Sequence, residues 1–113
     1  DYERDPQRKI DLLAQLEDRK DTGIVPATVR FLQDSNESAR FHAAATIFAQ
    51  FNAEDARDAL LDVLADEESV RVKVRILDGF IEHDWGLGER AEELLPALPS
   101  GYVLDGDRLT KRR

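Results

Sequence analysis

Apolar side chains recur every three or four residues from the amino end to about residue 83, and then the texture changes. The spacing predicts five helices in a row. The first spans about Pro6 to Glu17, with Ile10, Leu12, Leu13 and Leu16 on its apolar side, Asp5 as N-cap and Pro6 at the first helical position. The second spans about Thr22 to Gln33, with Val25, Val29 and Leu32 in one stripe and Pro26 tolerated near the first turn. The third starts at Asp34, which forms a capping box with Glu37, and Phe41, Phe48 and Phe51 are expected in its core face. The fourth opens with Asn52 as cap and buries Ala56, Ala59, Leu60, Val63 and Leu64. The fifth follows Asp66 and runs to about His83. Its apolar surface (Val70, Val72, Val74, Ile76, Leu77, Phe80, Ile81) is broad enough for neighbours on two sides. Gly86 and Gly88 break the pattern, and a short sixth helix, about Glu89 to Leu95, ends at Pro96 and Pro99. The stretch from Tyr102 to Leu109 surrounds Asp105-Gly106 and reads either as a β-hairpin leaning on the helices or as an extended tail.

Self-comparison exposes a repeat. Phe31-Leu32-Gln33-Asp34-Ser35-Asn36-Glu37-Ser38-Ala39-Arg40 matches Val63-Leu64-Ala65-Asp66-Glu67-Glu68-Ser69-Val70-Arg71, a period of about 31 or 32 residues. Each copy ends an apolar helix, turns at an Asp, and opens a second apolar helix with an apolar-Arg pair. Hairpins of this size bury their apolar faces only against stacked neighbours, and the chain offers three: about 5–33, 34–65 and 66–95, with a tail 96–113, in one domain.

At these residues the chain resembles the HEAT-like repeats of bacterial proteins, the short type also found in phycobilin lyases. The resemblance covers roughly residues 22–85 and rests on Leu32/Asp34 with Ala39-Arg40 and Leu64/Asp66 with Val70-Arg71. It implies an all-α, right-handed superhelix, a solenoid of about three helical hairpins. It also implies a structural polar ladder between repeats, to which Asp34, Arg40, Asp66 and Arg71 carry over. The ending from Leu98-Pro99-Ser100 to Arg112-Arg113 is similar to that of small uncharacterised bacterial HEAT-repeat proteins.

Composition narrows the function. The chain has 113 residues, 42% hydrophobic and 35% charged, with no Cys and no Met. That describes one ordinary domain without disulfide, thiolate zinc site or cysteine nucleophile. No run of about 18 apolar residues is present, so no membrane span is expected. The missing initiator Met implies a trimmed amino end or a longer parent chain, and a cytoplasmic setting is the simpler expectation. The net charge is −8, split evenly: residues 1–56 carry 7 basic and 11 acidic groups, and residues 57–113 carry 9 and 13. Neither half holds the basic surface that a phosphate-backbone binder needs.

No catalytic pattern stands out. His42 and His83 lack metal-binding spacing and read as a packing or surface residue and a helix-end cation, so no metal or cofactor is expected. The carboxylate groups Asp55/Asp58/Asp62, Asp66/Glu67/Glu68 and Glu89/Glu92/Glu93 sit at helix starts and turns. Gly86-Leu87-Gly88 is a helix break, not a phosphate loop. Arg71, Lys73 and Arg75 form an internal basic cluster, either an acidic-partner site or salt-bridge donors to the acidic run 54–68. Arg108, Lys111, Arg112 and Arg113 make a basic carboxyl end. Trp85 reads as the plug of the last full repeat or as an interface anchor. The expected function is a non-enzymatic interaction or scaffold module that holds a protein partner along its concave face, with Arg40, Arg71, Lys73, Arg75 and Trp85 as the residues to probe. The rivals are a nucleic-acid-binding solenoid, a phycobilin-lyase-like protein, and homo-oligomerisation through solenoid ends.

Overall fold

The computed structural model describes residues 6–112, so the predicted Asp5 cap and the terminal Arg113 lie outside the described residues. The chain is mainly helical. Helices α1 (Pro6–Glu17), α3 (Glu37–Phe48), α4 (Arg57–Asp66) and α5 (Val70–Glu82) are full-length; α2 (Ile24–Thr28) and α6 (Ala91–Leu94) are short and continue as 3-10 turns over Val29–Gln33 and Leu95–Ala97. The single helix expected over 22–33 is thus divided. The Thr28 hydroxyl donates to the Ile24 carbonyl at 2.6 Å, a bond that competes with the regular ladder just where the coil tightens.

The helix starts differ from the expected caps in a way that matters later. Asp34 closes the 3-10 turn Val29–Gln33, and its carboxylate accepts the Asn36 N–H instead of capping a helix. The cap of α3 is Asn36, whose side chain accepts the Ala39 N–H at 3.0 Å. The cap of α5 is Ser69, accepting the Val72 N–H at 3.2 Å. Asn52 makes no cap bond; a 3-10 turn, Ala53–Ala56, leads into α4 instead.

The helices pack in two layers. In one, α3 lies between α1 and α5; in the other, α4 lies between the segment after α2 and α6. Four consecutive core positions of α3 are alanines (Ala39, Ala43, Ala44, Ala45), which lets its neighbours approach closely. Gly79 of α5 serves the same approach: a Cβ there would stand 2.3 Å from the Phe48 ring. Leu13, Leu32, Ile47, Leu64, Ile76 and Phe80 fill the space between layers. Phe51 does not join them and is 89% exposed. The reason is Gln50, buried just past the helix end, whose amide donates to the Leu16 and Thr46 carbonyls and accepts the Asp21 N–H. That anchorage turns the chain and swings Phe51 outward.

The hairpin reading of the carboxyl end holds. Strands β1 (Tyr102–Asp105) and β2 (Arg108–Lys111) pair antiparallel, with Asp105 opposite Arg108. Gly106 takes the left-handed conformation (φ 66°) at the first loop position, where tight hairpin turns favour glycine. The hairpin leans on α5: Leu109 is buried, and the Tyr102 hydroxyl and Lys111 ammonium both reach Asp78. No described helix is long and apolar enough to cross a membrane.

Candidate interaction surface

The singled-out arginines fall into two environments, set by their distance from a helix cap. Arg40 lies four residues past Asn36, on the side of α3 facing the α4–α5 turn. Its Nε and Nη2 donate to the two carboxylate oxygens of Glu67 at 2.8 and 3.0 Å, and Nη1 donates to the Asp34 carbonyl at 2.9 Å. The Glu67 side chain is only 2% exposed. It also accepts the Ser69 N–H, two residues ahead, at 2.9 Å. Asp34 repeats this arrangement one helix earlier: it accepts the Asn36 N–H at 2.8 Å and the Lys9 ammonium at 2.7 Å. Burial alone would raise the Asp34 pKa, but the Lys9 and Asn36 hydrogen bonds and the charges of Lys9 and Arg40 outweigh it and hold the carboxyl below its ordinary value. Arg40, paired with Glu67, has its pKa raised.

The two links of this kind, from a helix to the acid ahead of the next cap, are therefore Lys9–Asp34 and Arg40–Glu67. Asp66, expected to take part, is the exposed last residue of α4, and the neighbouring Glu67 has the buried role. Matching Asn36 with Ser69 aligns Arg40 with Lys73, not with Arg71. The spacing acid-x-cap-x-x-x-cation, in Asp34/Asn36/Arg40 and Glu67/Ser69/Lys73, is the signal that would have found Glu67.

Arg71 and Arg75 instead line the seam between α3 and α5. The Arg71 guanidinium lies 3.9 Å from the Phe41 ring centroid and donates to Glu37 at 3.0 Å. The Arg75 guanidinium lies 5.3 Å from the Phe48 ring and pairs with Glu82 at 3.5 Å. Both distances are within cation–π range. Glu37 also accepts the Ser69 hydroxyl, and this bond together with Arg71 and Arg40 lowers its pKa.

Trp85 reaches the same seam through the end of α5. Asp84 is left-handed (φ 59°), the Trp85 N–H donates to the Phe80 carbonyl at 2.8 Å, and the Asp84 N–H donates to that of Ile81 at 3.1 Å. This is a Schellman motif, and it folds the indole over Phe80 at 5.3 Å between centroids. The ring also meets Phe48 at 5.7 Å and His83 at 4.9 Å. His83 Nδ1 donates to the Gly79 carbonyl at 2.9 Å, which fixes its tautomer and leaves Nε2 as the acceptor in the neutral ring. His42 packs edge-on against Phe41. Lys73 stands apart from all of these: it is half-buried, and its ammonium has no hydrogen-bond or ion-pair partner among the described residues.

A groove of about 430 Å³ opens beside the Arg40–Glu67 pair. Asp34, Asp62, Asp66, Glu67 and Glu68 line it, with Arg40 as its one cation. Among the described residues no group of three or more His, Cys, Asp or Glu is placed to hold a metal ion. What the arrangement presents is surface: rings under guanidinium planes on one side and carboxylates on the other. No protein-family model, curated protein or solved structure matches the chain.

Proposed function

We propose that the chain is a short α-solenoid of HEAT-like hairpins, a right-handed superhelix working as a non-catalytic protein-interaction module. The α1–α3–α5 layer would form its inner, concave face. The observation that carries this reading is the α3–α5 seam: Phe41 under Arg71, then Phe48 under Arg75 with Trp85 and His83 beside it. Arginine and large aromatics are the residues that dominate binding energy at protein interfaces. Here Phe41, Phe48, Arg71 and Arg75 stand on helices and Trp85 is held by the cap of α5, at little further entropic cost on binding. The repeated cap and its forward cation support the solenoid part, since each hairpin is tied to the next in the same way. Nucleic acid is the poorer fit, because Arg71 and Arg75 already carry carboxylate partners in a chain of net charge −8.

The test is affinity capture from nuclease-treated lysate of the source cells with the wild type, an Arg71→Glu/Arg75→Glu variant and a control, Arg90→Glu, on the opposite layer. Melting curves check that each remains folded. A partner kept by the control and lost by the seam variant supports the module. Capture unchanged by the seam reversal, or abolished by nuclease, refutes it.

A further inference from the structure

The α1–α3–α5 layer carries two filled rungs, Lys9 on Asp34 and Arg40 on Glu67. In each, the acid stands two residues ahead of a helix cap and accepts the cap's own N–H. Lys73 stands four residues past Ser69, as Arg40 stands four past Asn36, yet no acid among the described residues fills its rung. The segment that follows α6, Leu98-Pro99-Ser100-Gly101, has no acid to offer.

The cap alignment also shows what surrounds the open rung. Val70 and Val74 of α5 correspond to Glu37 and Phe41 of α3, the positions that meet the next helix through Arg71. Val70 is 60% exposed and Val74 half-buried. The β-hairpin bonds to α5 further along, at Asp78, and Val70 at the helix start stays exposed.

We propose that Lys73, flanked by Val70 and Val74, is a docking rung for an acidic helix-start segment of a partner protein. Such a segment places a carboxylate two residues ahead of its Ser, Asn or Asp cap, as Asp34 and Glu67 do here, and covers the two valines with apolar side chains. The choice of an acid follows from charge: an ammonium with no ion-pair partner among the described residues is matched best by a carboxylate held on a helix cap. This rests on the interaction-module reading and places a second contact on it, away from the Arg71/Arg75 seam.

The probe is a labelled peptide reproducing residues 32–48 of this chain, which carries the acid, the cap and the first helix. Its binding to the full chain is read by fluorescence anisotropy. Lys73→Gln, or Asp34→Asn in the peptide, should each weaken binding about tenfold, and the two losses should not add. Pairing Lys73→Glu with a peptide carrying Asp34→Lys should restore it. Since the Lys73 ammonium has no partner among the described residues, its variants should melt as the wild type does. Equal affinity for Lys73→Gln, no binding up to about 1 mM, or Lys73-dependent association of the chain with itself in sedimentation would overturn the proposal. Failure here with seam-dependent capture intact removes the rung alone, and peptide binding without such capture removes the seam reading alone.

Discussion

Arg40 and Arg71 open their helices with similar local sequence, yet the structure assigns them very different energetic weight. Arg40→Ala leaves the Glu67 carboxylate, 2% exposed, with its charge uncompensated and the Asp34 carbonyl without its donor. Removing one member of such a buried pair costs about 3–5 kcal/mol. Arg71→Ala breaks a pair whose side chains are 47% and 46% exposed. Solvent screening reduces that pair to at most about 1 kcal/mol, with the Phe41 contact adding a similar amount at most. An unfolding entropy near 2.1 cal/mol/K per residue gives about 4 °C of melting temperature per kcal/mol for 113 residues. Arg40→Ala should therefore lower the midpoint by about 12–20 °C, and Arg71→Ala by no more than about 8 °C. The assay is thermal and urea unfolding followed by far-ultraviolet circular dichroism. A double-mutant cycle of Arg40→Gln and Glu67→Gln completes it, and the two losses should fail to add. Equal midpoints for the two alanine variants, or additive losses in the cycle, would refute the assignment of Arg40 to Glu67.

Gly79→Ala gains about 1 kcal/mol of helix propensity but drives a methyl into Phe48, which Phe80, His83 and Trp85 box in. Overpacking of about 1–3 kcal/mol should win, and a raised urea midpoint would show that the α3–α5 approach is looser than described. Tyr102 has its phenol pKa raised above the ordinary value, first by burial and then by the Asp78 carboxylate beside it. An acid whose folded pKa is raised adds stability below its unfolded pKa and loses it as pH rises past that value. Phenolate absorbance should therefore show one tyrosine titrating late, and Tyr102→Phe should remove that late phase. Asp34 has the opposite sign: its lowered pKa adds stability above the ordinary carboxylate range, lost as pH falls through the folded value. Asp34→Asn should flatten the acid limb of a plot of urea midpoint against pH, and an unchanged limb would remove Asp34 from the ladder. Phe51→Ser should change the unfolding free energy from urea titration by no more than about 0.5 kcal/mol, because the ring is 89% exposed.

The helical positions were legible because apolar spacing is a property of the chain itself. α1 spans Pro6–Glu17 as the pattern predicts, and α5 ends at Glu82 with His83 as its C-cap. The hairpin was legible from Asp105-Gly106, since the left-handed turn needs glycine. What the pattern missed lies at helix ends, where side chains compete for the same few N–H groups. Asp34 looked like a cap by residue type, but its carboxylate is drawn to Lys9, 25 residues away in sequence, and Asn36 caps the helix in its place. Phe51 looked like core by spacing, but the buried amide of Gln50 ends the helical register before it. The interaction surface turns on the same distinction. Aligning Arg40 with Arg71 follows the resemblance of two short sequences; aligning Asn36 with Ser69 follows the hydrogen bonds. Only the second alignment brings Glu67 under Arg40, hands the seam to Arg71, and leaves Lys73 without an acid among the described residues. The register of the caps, more than the apolar repeat, thus decides which cation reaches which acid and which one has no acid among the described residues.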